Sequence, residues 1–212
     1  MGRGTSKAGG GDGIGKFGGG MDNTNSETTV KSSHPLTDVI STGGGGYANE
    51  IMNTRDALER EFGAPVKNMS LHVATFSEAG VLGAYGGNTL FMNEKYVKNQ
   101  NLTQAMKKAS ESGFHPSIGN KTGAEAVASH EIGHRLGEVA AQKAGISEKQ
   151  IVARAAAKVG IKTENMAGHI SKYAKSNYSE TIAEASADVF CNGKNASKAS
   201  KAIVKELKTI LK

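Results

Sequence analysis

The chemistry in this chain is concentrated in His130-Glu131-Ile132-Gly133-His134. On a helix, residues four apart stand one turn apart on the same face, so the imidazoles of His130 and His134 can reach a single zinc ion. Glu131 then projects beside the metal rather than onto it. Zinc lowers the pKa of a bound water toward about 7, and a carboxylate in that position can take its proton. These are the physical roles behind an H-E-x-x-H run, and they lead to the expectation of a metallopeptidase holding one zinc per chain and acting on protein or peptide.

A catalytic zinc needs a third protein ligand and leaves one position open for water. The candidates downstream are His169, Glu180, Glu184 and Asp188. No third His follows the motif closely, since His134 is succeeded by RLGEVAAQKAG. Glu138 lies two turns from His130 on the same helix and cannot easily close a tetrahedron there. Glu180, Glu184 and Asp188 recur every four residues and so line one helix face, among the small or apolar Ile182, Ala183, Ala185, Ala187 and Val189. Buried carboxylates without partners are costly, whereas beside a zinc site one can be a ligand and another can hold the far nitrogen of a ligand histidine. The plain alternative is a solvated acidic stripe paired with Lys172, Lys175 and Lys194.

These residues need elements to position them. Thr122 and Glu125 form a T-x-x-E capping box, which opens a helix running to about Gly145 and carrying the motif in its middle. Its small residues Ala124, Ala126, Ala128 and Gly133 allow close packing. Ser147 and Gln150 open a second helix in the same way; further helices are expected over about 178–191 and 196–211 after a polar stretch at 161–177. Upstream, the periodicity predicts a helix over 47–62, a strand over 69–76, two short strands (Val81 to Tyr85, Thr89 to Met92) about Gly86-Gly87-Asn88, and a helix over 102–112. The expected fold class is α+β, a small sheet and an active-site helix followed by a mostly helical C-terminal half.

Half of the first 20 residues are Gly, and the next stretch is rich in Asn, Ser and Thr. Ordering glycine costs the most backbone entropy, and few apolar residues are present to compensate. Residues 1–46 therefore read as a flexible arm and 47–212 as the folded domain. Met1-Gly2 followed by Ser6 matches an N-myristoylation pattern formally, and in so Gly-rich a stretch reads as chance. The chain of 212 residues has a formal net charge of +6, which permits nucleic acid as a partner, yet its lysines are scattered as on a solvated face. Cys191 is the only cysteine, so no internal disulfide forms. No apolar run is long enough to span a membrane and no signal-peptide core is present, which leaves a cytoplasmic, virion-associated or non-Sec-exported protein. Nothing in the chain specifies its oligomeric state.

The pattern as a whole resembles the gluzincin metallopeptidases, which join His-Glu-x-x-His to a downstream Glu. The closer likeness is to the catalytic domain of anthrax lethal factor and related toxin- or phage-associated peptidase domains. There, a Tyr precedes the ligand Glu by seven residues and an E-x-x-x-E pair follows, as in Tyr173-AKSNYS-Glu180-Thr-Ile-Ala-Glu184 here. The resemblance covers about residues 120–192 and implies a zincin-like domain. It also implies that Glu180 is the third ligand, Glu184 a carboxylate supporting a ligand histidine, and Tyr173 a donor to the developing oxyanion. By the same analogy, Thr89, Leu90, Phe91 and Met92 form an edge strand that pairs with the substrate backbone. The helix after Glu180 reads T-I-A-E-A-S-A rather than aromatic-rich, and the glycine-rich arm has no counterpart in that group.

Two other classes compete with an active peptidase. A phage-virion or effector component that keeps a zincin fold as a binding module has no need of Glu131 beside an open metal position. A nucleic-acid-binding protein rests on charge alone and would show salt-sensitive binding.

Overall fold

Runs with alternating apolar residues, bounded by glycine, form strands in this chain, and Ala-rich runs opened by capping residues form helices. The computed structural model describes residues 16–18, 30–35, 45–67, 69–76, 80–86, 89–97 and 102–212. In order, these hold β1 (Lys16–Gly18), β2 (Val30–Pro35), α1 (Gly45–Phe62), α2 (Ala64–Lys67), β3 (Ser70–Phe76), β4 (Val81–Gly86), β5 (Thr89–Asn93), α3 (Glu94–Val97), α4 (Leu102–Glu111), α5 (Gly123–Ala144), α6 (Glu148–Val159), α7 (Tyr178–Asn192) and α8 (Lys198–Leu211), with short 3-10 turns between α6 and α7. The class is α+β, a small sheet followed by a mostly helical second half.

The sheet order is β1-β4-β5-β3-β2. β4 and β5 are antiparallel, β3 runs parallel to β5, and the outer strands β1 and β2 pair with β4 and β3. Within residues 1–46, read from sequence as an arm, Lys16–Gly18 and Val30–Pro35 are thus edge strands; apart from the start of α1, the rest of that stretch lies outside the described residues.

The expectation for Thr89, Leu90, Phe91 and Met92 is overturned. They form β5, the middle strand, whose backbone is paired with β3 on one side and β4 on the other. A strand with both edges paired has no backbone groups left for a substrate peptide. The alternation that marks a strand carries no information on whether it lies at an edge or in the centre.

Register decides which side of the sheet meets the helices. Gly83 pairs with Met92, which pairs with Val73, and Tyr85 pairs with Leu90, which pairs with Leu71. These residues share one face. Gly83 lies against α5: a Cβ built there would stand 2.8 Å from Val127 Cγ1. On its other side α5 packs against α7, where a Cβ on Gly133 would fall 2.8 Å from Ala183 Cα. The middle of α5 is therefore buried nearly all round, as expected of a helix with sheet on one side and helix on the other. Ile132, Leu136 and Ile182 are fully buried at this junction, each contributing about 1.5–3 kcal/mol of transfer free energy.

Both ends of α5 are set by local chemistry. The Thr122 hydroxyl accepts from Glu125 N, and the Glu125 side chain accepts from Thr122 N, completing the capping box. At the other end Gly145 adopts φ 62, a left-handed conformation that a Cβ would strain. Thr122 also donates to Glu50 Oε2 of α1 at 2.9 Å, which fixes the start of the motif helix against the upstream half.

Candidate metal centre

The helical register of α5 brings His130 and His134 to one face, and packing of α7 across that face brings Glu180 to them. The Nε2 atoms of the two histidines are 3.2 Å apart, and Glu180 Oε2 lies 3.1 Å from one and 3.6 Å from the other. All three residues are buried, and among the described residues they form the one group of His, Cys, Asp and Glu side chains arranged to hold a metal ion.

The donor set fits a zinc ion on its own geometry. Ligand atoms at tetrahedral zinc, with bonds of about 2.0–2.2 Å, stand roughly 3.3–3.6 Å from one another. The three separations here fall close to that range. The hydrogen bonds at the far ring nitrogens are compatible with this. The His130 Nδ1 is 2.9 Å from Glu184 Oε1, and a carboxylate only accepts, so Nδ1 carries the hydrogen and Nε2 of the neutral ring is a lone pair. The Nδ1 of His134 is hydrogen-bonded to Ser179 Oγ at 2.9 Å, leaving its Nε2 directed at the same point. Glu180 Oε2 is buried and faces the two ring nitrogens at 3.1 and 3.6 Å. Three acceptor atoms converging in a dry site call for a cation.

Glu131 is fully buried on the same helix, and neither of its carboxylate oxygens has a hydrogen-bond partner. Oε1 would be 3.4 Å from a Cβ on Gly83, so the absence of a side chain on β4 leaves room for this carboxylate. Burial raises the Glu131 carboxyl well above its ordinary value; His130 opposes this, while Glu180 and Glu184 reinforce it. Burial also works against charge on His130, but hydrogen bonds with Glu180 and Glu184 outweigh it and bring the imidazole up to about 10. For His134 burial prevails and, with His130 adding to it against Glu180, brings it down to about 4.

Tyr173, on the 3-10 turn Tyr173–Lys175, donates to Glu180 Oε1 at 3.3 Å. Burial and the nearby carboxylates raise its phenol, which therefore stays a donor. Asn177 caps α7, its Oδ1 accepting from Glu180 N at 2.8 Å, so Glu180 stands in the first turn of the helix. Glu184, one turn further on, accepts from His130, from His115 Nδ1 at 3.1 Å and from Ser171 Oγ at 2.6 Å. Burial would raise its carboxyl, yet the hydrogen bonds from His115 and His130 pull it down to about 2.

The other sequence candidates lie elsewhere. Asp188 accepts from Asn192 Nδ2 and Ser197 N, bridging to the turn before α8. Glu138 pairs with Tyr85 and Arg135, and His169 is exposed. Tyr178 packs against the core, with Lys149 Nζ 5.9 Å from its ring centroid. Glu180, Glu184 and Asp188 are buried, so the solvated stripe paired with lysines does not occur. Sequence reasoning missed His115 and Ser171. Neither stands at a motif spacing from His130, and only folding brings them to Glu184.

Comparison with family models, with curated proteins and with solved structures gives no match for this chain. None of the described helices is long and apolar enough to cross a membrane.

Proposed function

We propose that this protein is a zinc metallopeptidase of gluzincin type, with a zincin-like domain, in which His130, His134 and Glu180 hold the metal. One observation carries the reading: an unpartnered, fully buried carboxylate, Glu131, stands beside three acceptor atoms at the mutual separations of a metal tetrahedron. A purely structural metal site has no use for that carboxylate. The packing of a small sheet and a Glu-bearing helix on either side of the H-E-x-x-H helix supports the zincin-like reading.

When bound, zinc supplies a Lewis acid and makes water acidic enough to ionise near neutral pH. Glu131 accepts the proton of the water that attacks the peptide carbonyl carbon, and passes it to the leaving amine nitrogen as the C–N bond breaks. Burial raises its pKa, which makes Glu131 a stronger proton acceptor than an ordinary carboxylate. Tyr173 donates to the carbonyl oxygen as negative charge develops there. Glu184 keeps the His130 ring oriented with Nε2 toward the centre. The resemblance to toxin- and phage-associated peptidase domains extends this to a protein or peptide substrate.

Metal analysis and cleavage of a peptide library test the proposal together. Wild type is expected to carry about one zinc per chain, and His130→Ala and Glu180→Ala to lose most of it. Glu131→Gln is expected to keep the metal and lose cleavage. Undiminished proteolysis by Glu131→Gln would falsify the mechanism, and a wild-type protein that binds zinc but cleaves nothing would favour a binding module.

A further inference from the structure

We propose that His115 is a positioning residue for the metal centre: with Ser171 it locks the Glu184 carboxylate in the orientation that holds His130. The inference rests on the metal-site reading above.

Glu184 is fully buried, and the torsion about a carboxylate's last bond is soft, so its hydrogen-bond donors set its orientation. Those donors come from three separate parts of the chain. His130 Nδ1 on α5 and His115 Nδ1 on the loop between α4 and α5 meet the same oxygen, Oε1, at 2.9 and 3.1 Å. Ser171 donates to Oε2 at 2.6 Å and accepts from Ala174 N at 3.0 Å.

The two loops are also joined to each other. Lys172 N donates to Gly113 O and Tyr173 N to Phe114 O, both at 3.0 Å. The His115 ring then meets the Tyr173 ring edge-on, with centroids 5.3 Å apart. Glu184 is thus the point at which a ligand histidine, His115 and the segment bearing Tyr173 are tied together. A space-filling role would be met by an apolar ring. A side chain only 2 % exposed that donates to the carboxylate orienting a ligand does more than fill space. Removing its N–H leaves Oε1 with one donor instead of two and lets the carboxylate turn away from His130.

Zinc affinity, measured on the full chain by competition with a chromophoric chelator, tests this. His115→Leu is expected to bind zinc about 10- to 100-fold more weakly than wild type, the range usual for partners of ligand histidines. His115→Asn places an amide donor where Nδ1 stands and should recover most of the loss, which an apolar packing role would not permit. Wild-type affinity in His115→Leu, or an Asn variant as weak as the Leu variant, would overturn the inference. If His115→Leu does not fold, Ser171→Ala removes another donor to Glu184 and is expected to weaken zinc as well; unchanged affinity there would likewise overturn it. His130→Ala separates the two levels. If it binds zinc like wild type, the metal site itself is wrong. If it loses zinc while His115→Leu does not, only the role of His115 fails.

Discussion

At the scale of single residues, the site divides labour between carboxylates of the same chemistry by what surrounds each. Glu180 faces the two Nε2 atoms, and its contacts with His130 and His134 outweigh burial to hold it below the usual carboxylate range. Glu184 sits behind His130 with three donors, and Glu131 has none. The proposed ligand, orienting group and base are thus distinguished by hydrogen bonding rather than by residue type. Tyr173 is distinguished in the same way, as a buried phenol kept protonated beside Glu180. Its role makes Tyr173→Phe a sharp test. Loss of one oxyanion donor typically costs about 10²–10³ in kcat. That fall, with zinc content unchanged, is the expected result of steady-state kinetics on a peptide substrate. A variant with wild-type kcat would remove Tyr173 from the reaction.

At the scale of elements, the centre exists because α5 and α7 approach closely enough for a glutamate on one to reach histidines on the other. Gly133 sets that approach. A Cβ there would stand 2.8 Å from Ala183 Cα and 2.9 Å from Ser186 Cβ, both anchored close to the backbone of α7. Gly133→Ala must push the helices apart, since neither contact is the far end of a flexible side chain. Overpacking of this kind costs about 1–3 kcal/mol, to be read from urea unfolding of the metal-free protein. The same displacement moves Glu180 from the histidines, so zinc affinity should fall in parallel. An alanine variant equal to wild type in both measurements would show that the helix spacing is not set there.

At the scale of the whole molecule, the domain buries six ionisable side chains, His115, His130, Glu131, His134, Glu180 and Glu184, in one cluster, and its stability should respond to metal and pH accordingly. Zinc at about 100 times its Kd is expected to add about 2.7 kcal/mol of stability, visible as a Tm increase that chelation reverses and His130→Ala lacks. For the metal-free chain the sign follows from His130 and Glu131. The folded-state pKa of His130, about 10, lies above its ordinary 6.5, so the stability from its carboxylate contacts is fully present below 6.5 and is lost as pH rises through 10. Glu131, also raised, acts in the same direction as pH rises above the ordinary carboxylate range. Unfolding of chelator-treated protein at a series of pH values from 6.5 upward should show stability decreasing, and a flat profile would contradict the charge state described here. Because zinc must displace the proton from His130, binding should release protons at neutral pH, measurable as a calorimetric heat that depends on the buffer's ionisation enthalpy.

Much of this protein could be read from local sequence, because the forces involved are local. The capping pairs Thr122/Glu125 and Ser147/Gln150, the glycine that ends a helix at 145, and the i, i+4 spacing of the histidines act within one or two turns, and each is found as expected. The E-x-x-x-E spacing likewise placed Glu180 and Glu184 on one face of α7. What each carboxylate faces was decided only by tertiary packing, since helical spacing defines a face without saying what lies across from it. The same limit accounts for β5: a strand is expected from Thr89 to Met92, but its central position depends on β3 and β4 pairing to either side. His115 lies far from Glu184 along the chain, and its place in the centre arises from the loop contacts between Gly113–Phe114 and Lys172–Tyr173. Local spacing determined which histidines one helix face can present, and long-range packing determined what the carboxylates face, the dry surroundings of Glu131 and the contact of His115 with Glu184, because those depend on contacts between segments that no local pattern encodes.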